Sequence, residues 1–191
     1  MRKIEKRSIF CLILAALLGL GLAFFCFQFV VDGGDWASYP YNRHLYNNAG
    51  QLKGGTILDR DGDMLSTLDE DGNRIYNDDA TVRRATLHAV GDKSGNIGAG
   101  ALTSFADKLS GYNLLTGVYS PLGTGNSLYL TIDAYLNNVA YQALNGMNGT
   151  VGVYNYKTGE ILCMVSTPTF DPANPPDIAA DDPAWDGVYV N

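Results

Sequence analysis

Cysteine, histidine and basic residues are all scarce in this chain of 191 residues. Two of its three cysteines, Cys11 and Cys26, lie in one apolar block, which leaves Cys163 as the single cysteine of the remainder. The two histidines, His44 and His88, are far apart, and neither has a cysteine or second histidine at ligand spacing. The composition therefore excludes a disulfide-braced domain and predicts neither a metal site nor a cofactor.

Basic residues are especially few beyond the N-terminus. Residues 1–31 contain four of the 13 basic and one of the 20 acidic residues. The remainder therefore has 13 − 4 = 9 basic and 20 − 1 = 19 acidic residues, a net charge of −10. This excess of negative charge argues against nucleic acid and anionic lipid headgroups as partners.

The N-terminus contains an apolar block of 23 residues, Ile9–Val31, in which Gln28 is the only clearly polar side chain. As a helix it would reach roughly 34 Å, enough to cross a hydrocarbon core of about 30 Å. Basic residues precede it and Asp32 and Asp35 follow, so we expect a single-pass protein of the cell membrane with a cytoplasmic N-terminus and the rest outside. A cleavable signal peptide is the alternative. It would have a shorter apolar region of about 7–15 residues and a small-residue cleavage site, which is missing here.

Short strands and turns follow the apolar block and a juxtamembrane linker that we expect over residues 32–51. The pattern predicts strands at 56–58, Met64–Leu68 and Arg74–Tyr76, with turns at 59–62 and 69–73. Gly tolerates positive φ and Asp bonds nearby backbone amides, so these turns favour a small antiparallel meander.

Two helical patterns occupy the middle of the chain. The first covers 99–111 and has apolar residues at helical spacing, Leu102, Phe105, Ala106 and Leu109. The second follows a strand at 127–131 and begins at Thr131 or Asp133 as its cap. Its predicted apolar face consists of Leu136, Val139, Ala140, Ala143 and Leu144.

A strand pair comes next. Val151 and Val153 alternate on one strand, Lys157-Thr158-Gly159 forms the turn, and the second strand at 161–165 is apolar on both faces, as in a strand buried inside a covered sheet. Beyond Ser166 the chain is rich in proline and is predicted to be loop. Together these elements predict an α+β fold.

The acidic meander also resembles a calcium-binding loop. Asp59, Asp61, Asp63 and Glu70 match positions 1, 3, 5 and 12 of such a loop, but position 6, which requires glycine for a sharp turn, is Met64. Strands rather than helices flank the segment. We therefore interpret these residues as solvated hairpin turns.

Gly98-Ala99-Gly100 precedes a predicted helix and could indicate a phosphate cradle. Thr103 stands where the third glycine of that motif belongs, and no βαβ unit surrounds it. We interpret the glycines as close chain packing at the start of a helix.

Several segments, in order, resemble class B penicillin-binding proteins, in particular the A-type branch of Gram-positive bacteria. Residues 55–65 resemble a segment of the family's stalk or pedestal domain, as do 83–91 and 98–111. Leu130-Thr131-Ile132-Asp133 resembles the opening of its transpeptidase domain, and 151–171, with T-P-T-F-D-P, resembles the first strands of that domain.

The resemblance implies three regions. These are a cytoplasmic tail and membrane anchor (1–31), a linker and pedestal of dimerisation type (32–122), and the start of a transpeptidase domain (123–191), which we expect to be truncated. One departure is Gly54, which stands where the family has arginine. We expect this change to weaken an ion pair of the pedestal.

The resemblance also implies the activity of the parent protein, a peptidoglycan D,D-transpeptidase. A serine would attack a stem-peptide carbonyl and form an acyl-enzyme that β-lactams also form, with lysine as base. Family members share the motifs S-x-x-K, S-x-N and K-T-G. None of the chain's nine serines is followed three residues later by lysine, so Ser94-Gly95-Asn96 and Lys157-Thr158-Gly159 are interpreted as a loop and a hairpin turn.

We therefore expect no catalytic residue within these 191 residues and no penicillin labelling of this chain alone. Stem peptides and β-lactams are expected partners of the parent protein, together with the membrane and other cell-wall synthesis or division proteins. The alternative is a non-catalytic, membrane-anchored scaffold module of cell-wall assembly. If the domain is incomplete, the apolar faces of strand 161–165 should be exposed.

Overall fold

The computed structural model describes residues 2–37, 39, 42, 54–111, 115, 125–176 and 188. Over these residues the chain has the predicted α+β organisation, with one apolar helix at the N-terminus. The helices are α1 (Arg2–Ala37), α2 (Ala80–Val90), α3 (Ala101–Ser104), α4 (Ala106–Leu109) and α5 (Ala134–Leu144). The strands are β1 (Ile57–Leu58), β2 (Met64–Leu68), β3 (Arg74–Tyr76), β4 (Leu128–Tyr129), β5 (Gly149–Tyr154) and β6 (Ile161–Thr167).

The predicted membrane-spanning block lies within α1. Its part from Lys6 to Ala37 is long and apolar enough to cross a membrane. The helix continues from Asp32 to Ala37, so the expected linker does not begin at Asp32. A nucleated helix gains one backbone hydrogen bond with each added residue. At its C-terminus the side-chain amide of Asn42 donates to the carbonyls of Trp36 (2.7 Å) and Ala37 (3.3 Å).

Two predicted regions fall largely outside the described residues. These are the remainder of the juxtamembrane linker up to residue 51 and the proline-rich segment beyond 176. In the last of these, Val188 is described.

Four strands form one sheet in the order β3-β2-β1-β4. β1 to β3 are the predicted antiparallel meander, in which Ser66 of β2 pairs with Ile57 on one side and Tyr76 on the other. β4 adds to the other edge of β1 in parallel, with Leu128 beside Ile57. The strand predicted at 127–131 is therefore present but covers two residues. β4 belongs to the region predicted to begin the transpeptidase domain, but it pairs with β1 and so forms the edge of the sheet that β1 to β3 begin.

The core lies against this sheet and is covered by the helices that follow it. Ile57 and Leu65 from the sheet pack with Leu102, Leu109 and Ile132, each with at most 4% of its surface exposed. Burying such side chains stabilises each by about 1.5–3 kcal/mol relative to exposure. The sheet and the helices therefore depend on one another for stability.

Gly54, which departs from the arginine of the family that the sequence resembles, has surroundings that leave little room for a side chain. Its φ is +140°, and an added Cβ would lie 2.9 Å from the Cβ of Leu109. Its carbonyl and that of Gly55 accept hydrogen bonds from the buried Arg74 guanidinium, at 3.2 and 2.8 Å. Burial lowers the pKa of Arg74 to about 10, so the group is still charged at neutral pH. The Arg74 guanidinium of β3 therefore places a positive charge beside Gly54 and Gly55.

The helix α2 has no counterpart among the helices predicted from the sequence. Asp79 caps its N-terminus by accepting from the amide of Thr81 at 2.7 Å, and Gly91, at φ +95°, ends it. All residues from Ala85 to Val90 are buried. An Asp cap followed by Val82, Ala85 and Ala89 at helical spacing was the available signal.

The helix predicted over 99–111 is wrong as a single element, because the structure breaks it at Phe105 into α3 and α4. Phe105 has φ −118° and ψ 28°, outside the helical range, and it is 38% exposed. The hydroxyl of Ser104 donates to the Ala99 carbonyl, which offers the chain an alternative to the helical ladder. The other predicted apolar positions, Leu102, Ala106 and Leu109, are buried as expected.

The helix α5 is confirmed with Asp133 as its cap, but its predicted apolar face is only partly buried, because Leu136, Ala140 and Leu144 are half-buried. Val139 is 45% exposed and Ala143 is also exposed, whereas the buried positions are Ala134 and Asn137. Hydrophobic spacing locates a stripe but does not show which side the neighbouring elements cover. Here α5 contacts both α2 and β6, and the Asn137 side chain accepts from the Met164 amide of β6.

β5 and β6 form the predicted antiparallel hairpin. β6 ends at Thr167 rather than at Val165. The expectation of exposed apolar faces holds for Ile161, which is 46% exposed, but not for Cys163 and Val165, which are fully buried. These two residues are covered because α2 and α5 pack on that face.

Candidate functional site

Lys157-Thr158-Gly159 lies in the tight turn between β5 and β6, as predicted. The amide of Gly159 donates to the Asn155 carbonyl at 2.7 Å, and Gly159 has φ +79°. The Lys157 ammonium lies 5.7 Å from the centroid of the exposed Tyr156 ring. Each of these contacts is local to the hairpin, so the triplet acts as a turn here.

Ser94-Gly95-Asn96 lies in the loop between α2 and α3, as predicted. The buried carboxylate of Asp92 organises this loop by accepting from the amides of Ser94 (3.1 Å) and Ile97 (2.7 Å) and from the Asn96 side chain (3.0 Å). These bonds explain the loop's shape without a ligand.

The four acidic residues of the calcium-loop pattern are only partly brought together. Asp59 and Asp61 lie close to Asp133, with carboxylate oxygens within 4.8 Å of one another. The buried Asp59 accepts from the amides of Asp61 and Asp63, both at 2.9 Å, and from Ala134 at 3.0 Å. Backbone amides thus occupy both oxygens of Asp59, which agrees with a hairpin turn, but the prediction that these residues are solvated is wrong for Asp59, which is 1% exposed. The same carboxylate also joins the β1–β2 turn to α5.

Gly98-Ala99-Gly100 packs closely, as predicted. A Cβ on Gly100 would lie 2.5 Å from the Cα of Gly91. The glycine therefore permits two backbones to touch at the start of the four-residue helix α3.

Leu130-Thr131-Ile132-Asp133 links the two sheets. The Ile132 carbonyl accepts from the amide of Arg60 in the β1–β2 turn at 3.0 Å, and the Asp133 amide donates to Leu162 of β6 at 2.9 Å. The Asp133 carboxylate accepts from the amide of Leu136 at 2.9 Å, which satisfies a free donor of the α5 N-terminus. This motif therefore fixes where α5 begins relative to both sheets.

The T-P-T-F-D-P motif begins at the last residue of β6, Thr167, and is bonded to α2. Asp171 and Arg83 form a two-pronged ion pair in which Nε and Nη2 each lie 2.7 Å from a carboxylate oxygen. Arg83 also donates to the carbonyls of Asn77 and Asp78. The Thr169 hydroxyl donates to the Arg84 carbonyl at 2.9 Å.

The ion pair shifts the pKa of both partners. The hydrogen bond from Arg83 is the main reason that the pKa of Asp171 lies below its ordinary value. The hydrogen bond to Asp171 likewise raises the pKa of Arg83. Both groups are therefore charged across the physiological range.

A second contact to α2 lies at Val188. The Nε2 atom of His88 is 2.8 Å from the Val188 carbonyl oxygen, and both residues are buried. The Val188 side chain packs with Leu87, Ile97 and Phe170 in a small apolar cluster. Burial lowers the pKa of His88, and the bond to Val188 partly opposes this effect.

Cys163 is a buried small hydrophobe, as predicted. It is fully buried, and its pKa is raised mainly by that burial and secondarily by the charge of Asp133. A thiol in this state is a poor nucleophile.

The two long-range contacts of α2 were not predicted from the sequence, because each joins residues that are far apart along the chain. Arg83 and Asp171 are separated by 88 positions, and His88 and Val188 by 100. No local period connects such residues.

No family model matches the chain. Two curated proteins are similar over short segments, and both are named peptidoglycan D,D-transpeptidase MrdA. The protein of Acinetobacter baumannii is 48% identical over 48 residues, which is 25% of this chain and 7% of the relative. That of Haemophilus influenzae is 41% identical over 51 residues, which is 27% of this chain and 8% of the relative.

Solved structures give weaker likenesses. A structure of Pseudomonas aeruginosa PBP2 aligns with a TM-score of 0.49 and 23% identity, covering 64% of this chain and 29% of that one. The D,D-transpeptidase domain of a peptidoglycan glycosyltransferase from Eggerthella lenta aligns with a TM-score of 0.48 and 32% identity, covering 63% and 27%. By sequence, about a quarter of this chain is homologous to a short part of peptidoglycan D,D-transpeptidases.

Proposed function

We propose that these 191 residues are the N-terminal part of a membrane-anchored peptidoglycan D,D-transpeptidase of the class B penicillin-binding proteins. The main support is the segment 48% identical to an enzyme of that name. The finer assignment to the A-type branch of Gram-positive bacteria is part of this proposal and depends on the motif resemblance alone.

Under this proposal the chain has three regions with different roles. Residues 1–31 tether the protein with its N-terminus in the cytoplasm, 32–122 form the pedestal, and 123–191 begin the transpeptidase domain. The run of basic residues before the apolar helix supports this orientation.

The chemistry that the proposal assigns to the whole protein is acyl transfer on stem peptides through a serine, with β-lactams acylating the same serine. No S-x-x-K motif occurs among these residues. The nucleophile therefore belongs to a part of the protein outside them, and this chain alone is inactive.

Labelling with a fluorescent penicillin tests the proposal. We expect no covalent label on the 191-residue chain, but labelling of the protein encoded by the continuing reading frame. The control is the same longer protein with the serine of its S-x-x-K motif changed to alanine. Label on the short chain, or a longer protein that takes up no penicillin, would contradict the proposal.

The absence of S-x-x-K also fits a second function, a non-catalytic scaffold module of the cell-wall machinery. The DNA that follows codon 191 distinguishes the two. A reading frame that continues through S-x-x-K, S-x-N and K-T-G in order supports the enzyme, whereas a stop codon there supports the scaffold.

A further inference from the structure

Side chains of α2 bind the chain downstream of β6 at two separate points. At the first, Arg83 binds Asp171 with two hydrogen bonds of 2.7 Å. At the second, His88 binds the carbonyl of Val188 at 2.8 Å. The first contact is a side-chain ion pair, but the second is made to the backbone, so it does not depend on which side chain occupies position 188.

The bond at Val188 has a defined direction. A carbonyl oxygen only accepts hydrogen bonds, so Nε2 of His88 must carry the proton and donate. His88 is 2% exposed and Val188 is fully buried, and water therefore cannot replace this bond if it is lost.

The apolar surroundings also hold Val188 in place. Its side chain contacts a cluster formed by Leu87 next to His88, Ile97 from the loop after α2, and Phe170 next to Asp171. Phe170 thus connects the two contact points. The ion pair brings Phe170 to α2, and Phe170 then forms one wall of the site that receives Val188.

We propose that His88 is a positioning residue, which fixes the backbone at Val188 on α2 through the hydrogen bond from Nε2 to the Val188 carbonyl. Its consequence for acylation rests on the proposed function, in which the nucleophilic serine belongs to a part of the protein outside these residues. His88 itself touches no substrate in this proposal.

Hydrogen–deuterium exchange on the 191-residue chain in detergent micelles tests the contact itself. In His88→Ala we expect amides in peptides spanning Val188 to exchange about tenfold faster, since a buried hydrogen bond and its packing are lost. Peptides from β2 and β3 should exchange as in the parent. Arg84→Ala, an exposed position on the same helix, is the matched control and should leave Val188 unchanged.

His88→Gln separates positioning from general destabilisation, because its side-chain amide can donate to the same carbonyl. We expect it to restore most of the protection at Val188. Unchanged exchange at Val188 in His88→Ala overturns the proposal. If amides exchange faster throughout His88→Ala, the exchange at Val188 in His88→Gln becomes the test of the proposal. A failure of His88→Gln to restore protection at Val188 also overturns the proposal.

The rate of penicillin acylation in the longer protein tests the consequence. We expect His88→Ala to slow acylation about tenfold or more and His88→Gln to recover most of the rate, with Arg84→Ala unchanged. If the parent longer protein takes up no penicillin, the proposed function fails while the exchange result stands by itself. If penicillin reacts equally fast with His88→Ala, the contact has no role in positioning the serine.

Discussion

The ion pair between Arg83 and Asp171 offers the most direct test of how the chain after β6 is attached to α2. Both side chains are largely buried, with 13% and 10% of their surfaces exposed. We would replace Arg83 with methionine, which keeps the apolar stem, and Asp171 with asparagine, which keeps the shape.

The expected magnitude lies between two limits. An exposed ion pair contributes about 0–1 kcal/mol, whereas removing one partner of a fully buried pair costs about 3–5 kcal/mol. Arg83→Met removes the pair and two further bonds to the carbonyls of Asn77 and Asp78. We therefore expect a loss of about 2–3 kcal/mol for Arg83→Met and about 1–2 kcal/mol for Asp171→Asn. The double variant should lose about 1 kcal/mol less than the sum.

The same pair predicts a dependence on pH. The folded-state pKa of Asp171 is depressed, so its contribution is complete above the unfolded value of about 4 and is lost as pH falls through the folded value. Asp171→Asn should therefore lose less stability between neutral and acidic pH than the parent does. Asp63→Asn, at an exposed carboxylate with no resolved ion pair among the described residues, is the control.

Urea unfolding in detergent micelles, followed by circular dichroism at neutral and acidic pH, would give these free energies. Additive losses in the double variant would refute the coupling between the two side chains. An Asp171→Asn profile parallel to that of the parent would refute the assigned pKa shift.

Three further predictions concern other contacts. Gly55→Ala should destabilise the fold by about 2 kcal/mol or more in the same unfolding assay, because its Cβ would lie 1.8 Å from the Asn126 carbonyl oxygen. Gly152→Ala is the control and should have little effect, because Gly152 has open space around it. Asp59→Asn should lower the free energy of unfolding by about 1–3 kcal/mol, because the NH2 group of asparagine would face a backbone N–H that now donates to the carboxylate. An unchanged midpoint of unfolding would contradict the role of Asp59 as a link to α5. The depressed pKa of His88 means that its contribution is complete above the unfolded value of about 6.5 and is lost as pH falls, so His88→Gln should remove a loss of stability seen on acidification.

Much of the local structure was predictable because its causes are local. Turns with Asp and Gly at fixed places determine the meander of β1 to β3 and the β5–β6 hairpin. The cap at Asp133 determines where α5 begins. The length of the apolar block is enough to identify α1.

Other elements depended on partners distant in sequence. The buried face of α5 follows from which surfaces meet, and hydrophobic spacing does not contain that information. Asn137 is fully buried, although it is polar, because its side chain bonds the Met164 amide (3.1 Å) and the Asp133 carbonyl (2.7 Å).

The amino-acid sequence by itself determined an apolar helix long enough to span a membrane, an acidic α+β remainder and the absence of an S-x-x-K motif, since composition, period and spacing are properties of neighbouring residues. Only the tertiary structure decided that α2 joins the chain after β6, through Arg83 with Asp171 and His88 with Val188. Contacts between residues so far apart arise when packing brings them together and burial makes their hydrogen bonds costly to lose, and no short stretch of sequence records either condition.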